Sequence, residues 1–341
     1  MAIETPGFGH AHQKLRNGWI SHLAANTPAA YFGMVLGLGG LGNAWRAAEQ
    51  TWGIGNGFSE WILAVASFVW ALLILLFAAK AVFAPERLVA EINHPVQCCF
   101  VGLVGVATML IAGAAEPYSY SAALTLFCIG FTFTAFFAVW RTGGLWRGER
   151  DHATTTAVLY LPTVAGSFVT AMVAASLGYG DWGQLAFGAG FFSWLAIESI
   201  LLHRLLTGPM TPPALRPTLG VQLAPAPVAA VAYISVSGGT PDVFVHALIG
   251  YGILQLVVLL RLSRWLREAG AVMGFWAFSF GATSIATAPL RLLGHGDNAA
   301  ISVVAPVTFI LANLIVIGLA VMTVLLLLSG SMYGKSAPQS A

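Results

Sequence analysis

The sequence predicts an all-α integral membrane protein of ten transmembrane helices in five helical hairpins, odd helices inner around a central pore and even helices outer. Three observations carry that reading. Of 341 residues, 58% are hydrophobic and only 8% charged, where a soluble domain carries about a quarter charged residues. Apolar runs of about twenty residues recur along the whole chain, the length that crosses about 30 Å of hydrocarbon at 1.5 Å per residue. Basic residues and prolines each follow an alternating pattern from run to run.

Taken in order, the first span is 24–45, rich in glycine (Gly33, Gly37, Gly39, Gly40, Gly42) with Pro28 at its start. Span 59–83 has neither glycine nor proline. Span 95–114 opens on Pro95 and contains Gly102, and span 119–140 is apolar without proline. Span 154–177 holds Pro162 with Thr163, Ser167 and Thr170, and span 182–206 holds Glu198. Span 221–238 carries Pro225 and Pro227, and span 242–262 carries His246. Span 272–293 combines Phe280, Gly281 and Pro289 with Ser279, Thr283, Ser284 and Thr287; span 299–328 has Pro306. Proline frees a backbone carbonyl, which membrane depth tolerates against protein or a water-filled cavity. The odd spans therefore read as inner. Small residues such as Gly33 and Gly37 also permit close helix packing without a pore.

Placing both termini in the cytoplasm puts Lys14, Arg16, Lys80, Arg87, Arg141, Arg147, Arg150, Arg204, Arg216, Arg261, Arg264, Arg267 and Lys335 inside, and only Arg46 and Arg291 outside. One span more or fewer would scramble this positive-inside pattern. The expected organisation is a cytoplasmic tail over 1–23, one channel domain over 24–328 and a cytoplasmic tail over 329–341, in a bacterial-type inner (plasma) membrane. The first residues show no apolar signal-peptide core, so no cleavage is expected.

Composition also excludes functions. A net charge of +2 and no recognisable module argue against a nucleic-acid partner. Cys98, Cys99 and Cys128 lack CxxC spacing, so neither a metal site nor a redox pair is expected. His10 and His12 lie in the tail, His22, His94, His152, His203 and His295 at helix ends or loops, and only His246 within a span, giving no pair for haem. No Ser/His/Asp set or HExxH occurs, so the protein is read as a non-enzyme without cofactors. Glu198 is the one acid deep in a span, where proton-coupled carriers commonly use several. It reads as a structural partner for a neighbouring polar group. Helix ends and amides freed at kinks supply partial positive charge, which favours weakly held anions.

The segments NTPAAYFGMVLGLGGLGNAWR, HPVQCCFVGL, ESILLHRLL, PPALRPTLGVQLAPAPVAAVAY, GYGILQLVVLLRLSRW and FWAFSFG, in this order, resemble the tellurite-resistance and C4-dicarboxylate transporter family, which includes bacterial TehA proteins and plant slow-type anion channels. The resemblance runs from about residue 24 to 328. It implies passive movement of small inorganic or organic anions across the lipid bilayer, a homotrimer with one pore per subunit, and a pore-blocking phenylalanine on the ninth helix. By position in WAFSFG that residue is Phe280. Pore-lining or kink candidates are Pro28, Gly33, Gly37, Pro95, Gly102, Pro162, Ser167, Pro225, Pro227, Gly281 and Thr283. The alternative is a secondary carrier for C4-dicarboxylates or tellurium oxyanions, for which a cationic midplane site would be typical; no Lys or Arg stands at a span centre. Only about twenty residues precede the first span, so kinase control of the plant kind, which uses long regulated termini, is not expected.

Overall fold

A computed structural model describes residues 18–331 apart from 56, 149–153 and 297–298. His10, His12, Lys14, Arg16, Arg150, His152, Asp297, Lys335 and most of both tails fall outside the described residues. Every element among the described residues is helical. Ten long segments organise the chain: α1 (Phe32–Trp52), α2 (Phe58–Phe83), α3 (Cys98–Ala115), α4 (Tyr120–Leu145), α5 (Ala157–Ser176), α6 (Gly180–Thr207), α7 (Pro213–Val236), α8 (Val243–Arg261), α9 (Ser279–Gly294) and α10 (Ala300–Leu328). Shorter helices occupy Trp19–Ala25, Pro85–Asn93 and Ser263–Arg267.

Eight of the ten are long and apolar enough to cross a membrane, all but α1 and α9. The exceptions have a physical reason. α9 has 16 residues, and α1 dilutes its apolar content with five glycines, Asn43, Arg46 and Glu49. Burial separates the other eight into two groups. In α3, α5 and α7 between 72% and 83% of the apolar window is buried, against 17% to 33% in α2, α4, α6, α8 and α10. Helices apolar on all sides yet exposed on most of them are suited to lipid rather than water. α2 shows this with Trp61, Phe68 and Leu75 on its surface.

The inner segments touch in a closed circuit. α1 packs on α3, α3 on α5, α5 on α7, α7 on α9, and α9 on α1, while each also packs on the helix that follows it. Glycine makes the α9–α1 seam possible. A Cβ on Gly37 would overlap Ser279, and one on Gly40 would overlap Thr283, so the two backbones approach closely, as small residues allow in membrane helices.

Several boundaries differ from the sequence reading. The first span does not start at residue 24; Trp19–Ala25 is a separate turn of helix, Pro28 is extended, and α1 begins at Phe32 and continues to Trp52. Pro28 donates no amide, and Lys80 binds the carbonyl of Thr27 (3.2 Å), so the chain is held outside helical geometry here. Pro95 lies in the turn before α3, which starts at Cys98. Pro162 sits inside a π-helical stretch, Leu161–Ala165, where a wider turn accommodates the missing donor. The segment after Phe83, read as a loop, contains helix Pro85–Asn93, whose Glu91 forms a buried ion pair with Lys80 (2.5 Å) and accepts from the Ala29 amide (2.7 Å).

Candidate functional site

α9 is built to be surrounded. It is preceded by a 3₁₀ stretch, Met273–Phe278, anchored where the Trp276 indole donates to Thr323 (2.9 Å). The Ser279 hydroxyl donates to the Trp276 carbonyl (2.6 Å). Thr283 and Thr287 turn their hydroxyls back onto Ser279 (3.0 Å) and Thr283 (2.8 Å) carbonyls. These back-bonds satisfy the Ser279, Thr283 and Thr287 hydroxyls within the helix, which lets the face that carries them be buried. Almost every residue from Ser279 to Leu290 is buried.

Where the 3₁₀ stretch passes into this helix, Phe278 and Phe280 point to different neighbours. Phe278 packs against Gly220 at the start of α7, and its ring lies 6.0 Å from that of Phe275. Phe280, only 7% exposed, points toward the middle of the helix circuit. On one side of it lies a cavity of about 630 Å³ lined by Gly40, Asn43, Arg46, Ser284, Thr287 and Arg291 among others. On the other lies a narrow cavity of about 70 Å³ walled mostly by apolar side chains, including Leu36, Leu103, Val164 and Val228. Phe280 is the one residue the two linings share. The narrow cavity continues through Ala30, Phe100, Thr218, Met273 and Gly274 into a third of about 680 Å³, bordered by Lys80, Arg87 and Glu268. Three concavities are thus linked in order by shared lining residues, the first two through Phe280 alone.

The candidate residues take different places in this geometry. Gly33 and Pro225 line the narrow cavity, and Pro28 the wide one beyond it. The remainder lie outside these linings, for reasons of packing. Gly37 faces Ser279 and Trp276, and Gly102 faces the Phe137 ring. A Cβ on Gly281 would stand 2.8 Å from the Leu223 backbone and 2.9 Å from the Ala224 amide, so this glycine serves the α9–α7 contact. Thr283 is fully buried against Gly40. Ser167 and Pro227 face the outer partners of their helices, near Gly190 and Gly252. Pro95 and Pro162 also stand apart from the cavities, although Leu161 and Tyr160 beside Pro162 line the narrow one.

Sequence reasoning missed Gly40, whose absent side chain gives room to Phe280 and Thr283. It also read Arg46 and Arg291 only as loop charges, whereas both line the larger cavity next to Phe280. The available signal was position: both arginines stand at the ends of spans read as inner. Arg46 is neutralised by a two-pronged pair with Glu60 (2.7 and 2.9 Å). Glu49 is bound by the Ser59 amide (3.0 Å) and hydroxyl (2.6 Å).

Glu198 on α6 is 8% exposed and accepts four hydrogen bonds. Gln222 (2.8 Å) and Tyr251 (2.5 Å) donate to Oε1; Trp194 (2.8 Å) and Tyr160 donate to Oε2. Charge-assisted bonds of this kind offset the cost of a buried carboxylate. They tie α5, α6, α7 and α8 together, and Tyr160 separates the carboxylate from the narrow cavity.

Comparison with known proteins gives a consistent result. The family described as voltage-dependent anion channel (SLAC1) matches residues 26–324. The tellurite resistance protein TehA homolog of Haemophilus influenzae is 37% identical over 309 residues, covering 90% of this chain and 93% of that protein. The S-type anion channel SLAH3 of Arabidopsis thaliana is 25% identical over 321 residues, or 87% of this chain and 48% of that protein. The guard cell S-type anion channel SLAC1 of the same plant is 23% identical over 282 residues. The chain spans about half the length of these two plant relatives.

Proposed function

The chain belongs to the SLAC1 family of voltage-dependent anion channels, and from that premise we propose that it is a gated channel passing small anions passively through its centre, closed by Phe280. One observation carries the reading: the Phe280 ring is shared by the two cavities that meet at the axis. An apolar ring obstructs an anion sterically and offers nothing to replace its water, whereas polar hydroxyls and carbonyls along a wet wall can. In this reading α1 and α9 join the eight apolar helices as membrane spans, giving ten spans in five hairpins, with the odd helices inside. Both termini face the cytoplasm of a bacterial-type inner membrane, and the Arg46 and Arg291 end of the pore faces outward. Gly33, Pro225 and Pro28 line the path, and the glycines and prolines apart from it shape the inner helices. Three subunits associate, each with its own pore.

The test is anion current per folded protein for the parent, Phe280→Ala and Phe278→Ala. Phe280→Ala should raise current about tenfold or more, since a barrier reduction of about 1.4 kcal/mol suffices for that factor. Phe278→Ala should lower folded yield without raising current, because truncating a packed ring costs roughly 3–5 kcal/mol. Gain only in Phe278→Ala assigns the gate to the other ring, and gain in neither ends the aromatic-gate reading. Flux into liposomes with and without valinomycin separates the carrier alternative, for C4-dicarboxylates or tellurium oxyanions: a channel needs the compensating potassium path and an electroneutral exchanger does not.

A further inference from the structure

We propose that a pocket beside the mouth of the pore, centred on Arg291, binds a small planar oxyanion and supplies it to the cavity that ends at Phe280. Its role in flux rests on the channel reading above; binding itself does not. Arg291 lies eleven residues beyond Phe280 on α9, about 16 Å along the helix at 1.5 Å per residue. It lines the 630 Å³ cavity and also a neighbouring pocket of about 420 Å³. The two share Ala47, Gln50 and Arg291, so the side chain stands at their junction.

Two arginines face this end of the path, and their surroundings differ. Arg46 is occupied by Glu60 and by the carbonyl of Ala114 (3.1 Å). Arg291 donates from Nη1 to the Ser235 hydroxyl (2.9 Å), and among the described residues no carboxylate pairs with it. Among the described residues the 420 Å³ pocket is walled by Gln50, Thr51, Ser235 and His295 as its other polar residues, with no Asp or Glu among them. The Thr51 hydroxyl is directed to the Leu290 carbonyl (2.9 Å), which fixes the α1 wall against α9. A half-buried guanidinium without an anionic partner is costly, and a bound anion relieves that cost. Five N–H donors in a planar fork, one engaged by Ser235, suit a planar oxyanion such as nitrate or a carboxylate. Glu49, Glu60 and Glu116 border the larger cavity, so general attraction of anions to this mouth is weak. A local cationic pocket, walled among the described residues by no carboxylate, supplies what the long-range field does not.

The experiment is thermal unfolding of the purified full chain in detergent, titrated with sodium nitrate against sodium gluconate at constant ionic strength. Nitrate should raise the midpoint saturably in the parent and equally in Phe280→Ala. In Arg291→Gln the half-maximal concentration should rise about tenfold or the response vanish, with Arg291→Lys between the two because it keeps charge without the fork. Should Arg291→Gln fail to fold, Arg291→Lys and Ser235→Ala carry the test, each expected to need at least about threefold more nitrate. An unchanged nitrate response in the folded variants overturns the site. A nitrate response that depends on Arg291, with no current through Phe280→Ala, keeps the site and removes the channel reading. Current through Phe280→Ala with a response independent of Arg291 does the reverse.

Discussion

At the scale of single residues, the chemistry is set by what each polar group finds once buried. Glu198 finds four donors, two on each oxygen, and so ties four helices at one point. Glu198→Gln keeps one acceptor oxygen but turns an NH₂ toward two donors, and a buried unmatched pair of this kind costs about 1–3 kcal/mol. The expected outcome is a lower unfolding midpoint with anion flux and its pH dependence retained. Abolished flux in well-folded Glu198→Gln protein would contradict it and return Glu198 to a coupling role. The sequence showed a lone deep acid and suggested a polar neighbour, but the donors come from positions 24 to 53 residues away and from the same helix. Such convergence is a property of packing. Phe280 illustrates the same limit: periodicity shows that Phe278 and Phe280 face different ways, and only the fold says which way the cavities lie.

At the scale of elements, the glycines of α1 divide by face. Gly37 and Gly40 meet α9 so closely that any Cβ must displace Ser279 or Thr283, while nothing lies within 4 Å of a Cβ built on Gly39. Gly40→Ala and Gly37→Ala should therefore destabilise by about 1–3 kcal/mol, the usual cost of overpacking. Gly39→Ala should stabilise by roughly 0.5–1 kcal/mol through helix propensity. Unfolding midpoints of the three purified variants check both signs, and equal effects at positions 39 and 40 would refute the assigned face. The glycine richness of α1 and the proline richness of the odd helices were legible as a mark of inner elements. Their individual duties were not. Gly281, Ser167 and Pro227 carry the composition of a pore helix, yet they face helix neighbours, because an inner helix must close-pack on several others and has only a narrow face for the axis.

At the scale of the whole molecule, a multi-pass helical membrane protein of the anion channel family has a charged cavity toward each end. Arg46 and Arg291 border the cavity on one side of Phe280, and Lys80 and Arg87 the cavity on the other. In the proposed topology, which follows the positive-inside rule, the second end is cytoplasmic. A cysteine placed at Asp181 or Gly239 should then react with an impermeant thiol reagent in intact cells, in a Cys-free background, and one at Arg147 or Arg264 only after permeabilisation. Labelling at position 147 from outside would break the ten-span topology. By itself the sequence determined the membrane class, the all-helical make-up, the family and the contrast between buried and exposed helices. Apart from the family, which rests on ordered sequence segments, these follow from local composition, because lipid imposes the same requirement on every exposed segment: apolar side chains and internally satisfied backbone. Tertiary structure decided where α1 begins, which glycines bear on α9, what holds Glu198, and that Phe280 and Arg291 border the same cavity. Those facts depend on residues far apart in the chain meeting at set angles, and a linear pattern of hydropathy carries no information about the angle at which one helix crosses another.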